Sequence, residues 1–401
     1  MPKSPAQIPN FLETPLFSNI MKGIFVSRPN RFVIFCTTEE GIVTAYLPNP
    51  GRLWELLLPG RIVYLVKRPP EAAGGLKHMA VAVEREGVPV LLHTHMANVV
   101  TARLIVEKKI PGLEDAKITR AEVTVGHSRF DFLLEKDNRP FFLEVKSCTL
   151  IGRSIAMFPD AVTLRGKRHL EELGAMCRQG AAGGVLFLVH WPYADYFLPD
   201  YHTDLQFALA FQEVKKDIFI KALSLQWRSD LTLSANVREM SIPWETIARE
   251  AKDSGSYIIM LHIAADVDVS VGGLGTVHFA PGYYLYVGTA KRALTKRMDR
   301  HLRKNKKFHW HIDYLRNYAD SCVAIPIRSS EPLEQQLAAA LQGIADGFIP
   351  AFGSTDCDCA SHLFRFTENP IRSQPFIDML QYFRMDRLEN IIGAINRKAT
   401  P

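Results

Sequence analysis

From Lys22 to about Val66 the chain alternates apolar and polar positions in short runs, GIFVSR, RFVIFC, GIVTAYL and RIVYLV, broken by PN, EEG, NPGR and LLPG. Successive strand side chains point to opposite faces and Pro and Gly supply turns, so this stretch predicts an antiparallel sheet or small barrel. PPEAAGG, at 69–75, marks a boundary or long loop. Strand-like VAVE and VPVLLHT follow, then a helix from Asn98 to Lys109, then AEVTV, SRFDFLLE and PFFLEVKSC, with DNRP at 137–140 turning between the last two. FFLEV is apolar on both faces, which suits a central strand. After Pro159, RGKRHLEELGAMCRQG carries Leu170, Leu173 and Met176 or Cys177 at helical spacing and ends at Gly180. GGVLFLVHW is then a buried strand, so strand, helix and strand predict a mixed sheet with helices packed on it.

A polar, helix-prone link, SIPWETIAREAKDSG, sets a second boundary near 250. Beyond it come SYIIMLHIA, the turn VGGLG, GYYLYVG, a basic amphipathic helix, HWHIDYL, a strand at SCVAIPI and a helix at LEQQLAAALQGI. His309 and His311 have alternate-strand spacing with Asp313 close by, which reads as a packed polar cluster. The chain shows no internal repeat. The fold class is α/β (α+β).

A length of 401 residues calls for two or three cores, and 47% apolar with 22% charged residues excludes a largely disordered chain. The first residues lack a basic segment followed by an apolar run, and no stretch is long enough to span a bilayer, so a cytoplasmic protein without a membrane partner is expected. The cysteines at 36, 148, 177, 322, 357 and 359 are not spaced as a disulfide scaffold. The formal charge of +6 is mild, but nine basic residues lie between Lys291 and Lys307 against one acid, Asp299. Such a run is either a solvated face or a polyanion site.

Chemistry concentrates first at Asp131, in RFDFLL, and at Glu144 and Lys146, in FLEVKS. Two residues apart on a strand, Glu144 and Lys146 share a face, and the DNRP turn brings Asp131 beside them. Two carboxylates on neighbouring strands suit Mg²⁺ or Mn²⁺, and a lysine there offsets charge on a phosphate. Buried charges without partners are costly, so their interruption of an apolar run favours a functional cluster over a solvent-facing edge. The stretches NRF, LPNPGRLWELLLPG, GHSRFDF, LEVKSCTL and AMFPDAVTLRGKRHLEEL resemble the sugar-fermentation-stimulation protein A family over roughly residues 12–245. That resemblance implies an OB-like small barrel for nucleic acid over 12–85, followed by a restriction-endonuclease-like PD-(D/E)xK domain over 86–245. It makes Asp131 and Glu144 metal carboxylates and Lys146 the catalytic lysine, with Glu122 a further candidate acid. Arg129 either holds phosphate or pairs with Glu122 or Asp131. Arg31, Asn49, Arg52 and Arg165 are candidate nucleic-acid contacts, although Asn49 and Gly51 also meet turn geometry. Asp160 reads as a helix cap, and Thr94 and Asn98 as structural.

GSYIIMLHI, GYYLYVGTA, RMDRHLRKNKKFHWHIDYL and FGSTDCDCASHLF resemble the DUF123 family, a relative of the GIY-YIG endonucleases, over about 250–366, with a helical tail at 367–401. The two signatures stand here as Gly255, Ser256, Tyr257 and Tyr286, Val287, Gly288. In this likeness Tyr257 and Tyr286 position or activate water, Arg297 holds phosphate, and His301, one turn later, moves a proton or orients a tyrosine. Glu334 is the metal acid, with Glu331 its rival and a helix-end role its bland alternative. Leu294, Met298 and Leu302 form the inner stripe of the basic helix. Lys291, Arg292, Lys296, Arg300, Arg303, Lys304, Lys306 and Lys307 are read as backbone-phosphate contacts. Cys357, Cys359 and His362 lack a fourth ligand and the usual spacing, so packed thiols are preferred to zinc.

The combined expectation is a DNA-binding, divalent-metal-dependent nuclease. The alternatives are a non-catalytic DNA-binding regulatory protein and an RNA-processing nuclease. A sugar-metabolising enzyme fits the carboxylates and basic run less well.

Overall fold

The computed structural model describes residues 14–69, 74–126, 128–354 and 359–399. Contacts group the chain into two compact units, residues 1–200 with 206–244, and 201–205 with 245–401. Among the described residues no helix is long and apolar enough to cross a membrane.

The first unit opens with β1 (Met21–Asn30), β2 (Val33–Thr38), β3 (Gly41–Tyr46), β4 (Ile62–Lys67), β5 (His78–Arg85) and β6 (Val88–Leu91). They lie in the order β3-β2-β1-β4-β5-β6, and a parallel pairing of β3 with β5 closes the first five into a barrel. Alternation does its expected work: Ile34 and Cys36 are fully buried on β2, while Ile24 and Val26 on β1 face outward.

Next come α1 (Met96–Val106), β7 (Lys117–Val125), β8 (Ser128–Lys136), β9 (Arg139–Cys148), β10 (Leu150–Ile151), β11 (Ile155–Phe158), α2 (Leu164–Arg178), β12 (Ala182–Val189), β13 (Tyr196–Pro199), α3 (Leu205–Glu213), β14 (Phe219–Ser224) and β15 (Arg238–Glu239). The main sheet runs β15-β14-β12-β9-β8-β7, with β9, β12 and β14 mutually parallel and β7, β8 and β15 antiparallel to their neighbours. Parallel central strands are covered on both faces, which is why β12 reads as an apolar run and the centre of β9 does so except at Glu144 and Lys146. Ala97, Val100 and Leu104 of α1 pack with Phe132, Leu143 and Val145 in one core. The helix starts two residues before the predicted Asn98 and stops at Val106 rather than Lys109.

The turn between β8 and β9 sets which residues of the two strands face each other. Lys136 pairs with Arg139, so the loop is only Asp137 and Asn138, both left-handed at φ 52° and 57°. Two positive φ values make the primed turn whose twist matches paired strands, and Asp and Asn tolerate it.

The second unit holds α4 (Trp244–Glu250) at its start, then β16 (Gly255–Ile263), β17 (Val267–Ser270), β18 (Thr276–Phe279), β19 (Gly282–Ala290), α5 (Leu294–Leu302), α6 (His311–Arg316), β20 (Ser321–Arg328), α7 (Glu334–Gln342), β21 (Gly347–Phe348), β22 (Leu363–Phe366), α8 (Gln374–Gln381) and α9 (Leu388–Ala399). Its sheet is antiparallel in the order β20-β16-β19-β22-β21. Leu294 and Met298 of α5 pack with Tyr257, Tyr286, Ile312 and Leu315 in its core. HWHIDYL corrects the alternate-strand spacing read for its histidines: His311 begins a helix, with Asp313 accepting from the backbone N–H groups of His309 and Trp310. The basic run is helical only to Leu302, so Arg303, Lys304, Lys306 and Lys307 lie in the following loop.

Candidate functional site

The short hairpin loop fixes a register whose last paired positions, Phe132↔Leu143, are the residues next to Asp131 and Glu144. A slip of one residue would turn Asp131 to the other face of the sheet. Asp131 is held from both sides: the Asn98 amide on α1 donates to Oδ1 at 2.8 Å, and the Val145 backbone N–H donates to Oδ2 at 2.8 Å. Asn98, read as structural, therefore holds a site carboxylate. Burial, and then the nearby charge of Glu144, push the Asp131 carboxyl above its ordinary value.

Glu144 is only 4% exposed. Burial alone would raise its carboxyl, yet a hydrogen bond from His169 and the charge of Lys146 outweigh it and hold the group below the usual range. Both partners converge on Oε1, Lys146 Nζ at 2.5 Å and His169 Nδ1 at 2.6 Å. Oε2 is buried with no hydrogen-bond partner among the described residues. His169 is the residue that sequence reasoning missed. Its signal was a polar position beside Leu170 on the buried face of α2, one turn after Arg165.

Arg165 is exposed, and its Nε donates to His169 Nε2 at 3.3 Å. Glu122 and Arg129 are both more than half exposed and pair with each other at 3.7 Å, so Arg129 makes the ion pair that was its alternative reading.

Arg52, a candidate nucleic-acid contact, is engaged within the fold. Its Nε donates to the Asp160 carbonyl at 2.7 Å and to Asp160 Oδ1 at 3.3 Å, and its NH2 lies 3.6 Å from the buried Asp200. Asp160 is not the cap of α2 either. Thr163 caps that helix by accepting from Gly166 N, while Asp160 accepts from the Leu53 backbone N–H at 2.7 Å. Asn49 is buried and makes the turn, its Oδ1 accepting from Gly51 N at 3.0 Å, whereas Arg31 is exposed.

In the second unit, Tyr257 on β16 pairs directly with Gly288 on β19. A Cβ at Gly288 would lie 2.3 Å from the Tyr257 hydroxyl, so the glycine of this signature is required by the tyrosine crossing over it. Gly255, at φ 126°, starts β16 where a Cβ would meet the Ile327 carbonyl at 2.5 Å. Arg297 Nε donates to the Tyr257 oxygen at 3.3 Å, His301 Nε2 lies 3.0 Å from it, and the Arg297 guanidinium stacks on Trp310 at 4.6 Å. Burial pushes Tyr257 up to about 12 and lowers His301, while Tyr286 is also raised, chiefly by burial.

Tyr257, Arg297 and Trp310 line an open cleft of about 580 Å³ that also includes Tyr286, Lys291, Glu334 and His362, whereas His301 is buried outside its lining. Glu334 opens α7 and sits 3.6 Å from His362 Nδ1. Glu331, its rival, instead pairs with Arg249. Cys357 lies outside the described residues.

Two members of the basic run turn inward. Lys306, only 6% exposed, contacts the wholly buried Asp313 at 2.9 Å, and Arg300 grips the same carboxylate at 2.9 and 3.1 Å. Burial raises Asp313, but nearby His301 at 3.7 Å and the contacts from Arg300 and Lys306 more than reverse that, leaving it well below the ordinary carboxylate range. The cationic surface is therefore Lys291, Arg292, Lys296, Arg303, Lys304 and Lys307, all exposed.

Among the described residues, no group of three or more His, Cys, Asp or Glu is arranged to hold a metal ion. The first centre offers two carboxylates. Mg²⁺ is commonly bound by one or two carboxylates, with water and substrate phosphate completing its shell.

Three family models match the chain: the SfsA N-terminal OB domain at 26–92, the sugar fermentation stimulation protein RE domain at 95–230, and the domain of unknown function DUF123 at 256–384. The last extends past the expected end at 366. A sugar fermentation stimulation protein homolog of Methanosphaera stadtmanae is 40% identical over 202 residues, covering 49% of this chain and 84% of the relative. One from Methanothermobacter thermautotrophicus is 36% identical over 197 residues, covering 49% and 81%. The structure of Pyrococcus furiosus SfsA in complex with Ca²⁺ is similar at a TM-score of 0.52 and 30% identity, over 57% of this chain and 99% of that one.

Proposed function

The chain belongs to the sugar fermentation stimulation protein family, and on that premise we propose that it binds DNA and hydrolyses phosphodiester bonds at the Asp131, Glu144 and Lys146 centre. Family membership implies the DNA-binding half. The observation that carries the chemical half is the buried Oε2 of Glu144, without a partner among the described residues, on a carboxylate close enough for its charge to raise Asp131.

Two facing carboxylates repel, and a hard divalent cation is the partner that relieves them. Asp131 and Glu144 would hold Mg²⁺ or Mn²⁺, which when bound offsets phosphate charge and acidifies water. The Pyrococcus furiosus relative was solved with Ca²⁺, another oxygen-seeking ion. Lys146 spends one proton on Glu144 and keeps two for a phosphate oxygen or an attacking water. Asn98 and the Val145 N–H keep Asp131 from rotating away. The succession α1, β7, β8, β9, α2, β12 around this pair is the arrangement we read as a PD-(D/E)xK nuclease core. The second unit, read as GIY-YIG-like, adds substrate grip through its cationic loop, and its cleft groups Tyr257, Arg297 and Glu334 around a candidate second cutting site.

The test is Mg²⁺-dependent cleavage of labelled single-stranded, duplex and branched DNA, with matching RNA as competitor. The unchanged chain is compared with Glu144→Ala, Glu334→Ala and the double variant. Loss with Glu144→Ala supports the assignment, and loss only with Glu334→Ala moves the chemistry to the second unit. Salt-sensitive binding without cleavage would support a regulatory DNA-binding protein, and preferential attack on the RNA would support RNA processing.

A further inference from the structure

We infer that His169 is a positioning residue of the first centre: through Nδ1–H it fixes Oε1 of Glu144, so that Oε2 is the oxygen presented to a divalent cation. This rests on the reading of that centre as a cation site.

His169 is 2% exposed, and among the described residues each ring nitrogen has one hydrogen-bond neighbour, Glu144 Oε1 at 2.6 Å from Nδ1 and Arg165 Nε at 3.3 Å from Nε2. Arg165 has no acceptor to offer, so Nε2 must accept. In the neutral ring the proton then sits on Nδ1, where the Glu144 carboxylate accepts it. One tautomer satisfies both contacts, and the arginine on the outer side selects it.

The consequence falls on Glu144. A carboxylate that can rotate about its last bond presents either oxygen, and a buried one settles where its donors are. Here two donors from different elements, Lys146 on β9 and His169 on α2, meet at the same oxygen. The second oxygen is left buried and without a partner among the described residues. An unpaired buried carboxylate oxygen carries a desolvation cost that a coordinated cation removes. Groups that orient a ligand in this way typically change metal affinity by about 10–100-fold when removed. His169 bonds Oε1 of Glu144 and would leave Oε2 for the cation, so its part is orientation rather than catalysis.

Side-chain geometry supplies a sharp test. An asparagine at 169 places its amide nitrogen where Nδ1 was, whereas a glutamine places it nearer Nε2. Mn²⁺ binding to the full chain is measured by calorimetry, and the first-centre event is defined as the one that Glu144→Gln removes. His169→Ala and His169→Gln are expected to weaken that event about 10–100-fold, with His169→Asn within about threefold of the unchanged chain. Thermal melts without metal accompany each variant. Equal affinities for the Asn and Gln variants, or an unchanged affinity in folded His169→Ala, would overturn the positioning role while leaving the cation site in place. If Glu144→Gln removes no Mn²⁺ binding, the cation reading of the centre fails, and the role of His169 falls with it.

Discussion

The two candidate centres hold their charged groups in place by opposite means. In the first, Asp131, Glu144 and Lys146 sit on adjacent strands beneath two helices, and each charged group is tied to its neighbours at 2.5–2.8 Å. In the second, Tyr257, Arg297 and Glu334 line an open cleft of about 580 Å³, and order comes from a tyrosine crossing a glycine and an arginine stacked on tryptophan. Register positions the first site, and close backbone approach positions the second. The buried acids also differ in sign. Asp131 is raised by burial and a facing carboxylate, whereas Asp313 is lowered despite burial because three cationic or donor side chains surround it. Asp131 keeps a facing negative charge beside it, whereas Asp313 is surrounded by positive ones.

The largest expected effect separates the centres by activity. Glu144→Ala should reduce Mg²⁺-dependent cleavage by about a thousandfold while salt-sensitive DNA binding persists, measured on the same labelled substrates. A comparable loss of binding would tie the first centre to DNA grip instead.

Next in size, Lys306→Ala should destabilise the second unit by about 3 kcal/mol, because it strips a buried partner from Asp313. Denaturant melts would show this, and a change below about 0.5 kcal/mol would mean that Lys306 is a surface residue after all.

The opposite pKa shifts give an intermediate effect whose sign can be worked out. A carboxyl raised in the folded state binds protons that the unfolded chain has released, so Asp131 costs stability as pH rises through the ordinary aspartate value near 4. Asp131→Asn should therefore raise the melting temperature at pH 7 in chelator, with the gain shrinking toward pH 4. Asp313 is lowered, so its contribution is present above that value and is lost as pH falls through it toward the folded value. Asp313→Asn should lower the melting temperature at pH 7, and the deficit should narrow under acid conditions. Parallel behaviour of the two variants would erase the contrast between the sites.

The smallest effect concerns the cationic loop. Lys304→Ala and Lys307→Ala should each reduce the slope of log affinity against log salt for duplex DNA by about one, whereas folded Lys306→Ala should leave that slope alone.

Much of the first centre was legible along the chain. Glu144 and Lys146 could be placed on one face because strand period is a local property, and Asp131 could be brought near because DNRP is a turn. That Asp131 meets Glu144 depends on a two-residue loop, Asp137 and Asn138, and a loop longer by one residue would have changed the partner. His169 escaped notice because it arrives from α2, twenty-five positions after Glu144, and no periodicity couples a helix position to a strand oxygen. Arg52 read as a phosphate contact because its loop, PNPGRL, resembles the family's, and its hydrogen bond to Asp160, more than a hundred residues later, was not visible along the chain.

By itself the sequence determined most of the strands and helices, the ExK face, the paired tyrosine and glycine signatures and the family likenesses, since each depends on residues close together or on motifs read in order. Only the tertiary structure decided which charges are spent and which are offered. Arg52, Arg300 and Lys306 turn inward to carboxylates, Lys304 and Lys307 stay at the surface, and one oxygen of Glu144 is left without a partner among the described residues. The reason is physical: a charge is settled by whichever opposite charge or donor the fold brings within about 3 Å, and that distance is not a function of separation along the chain.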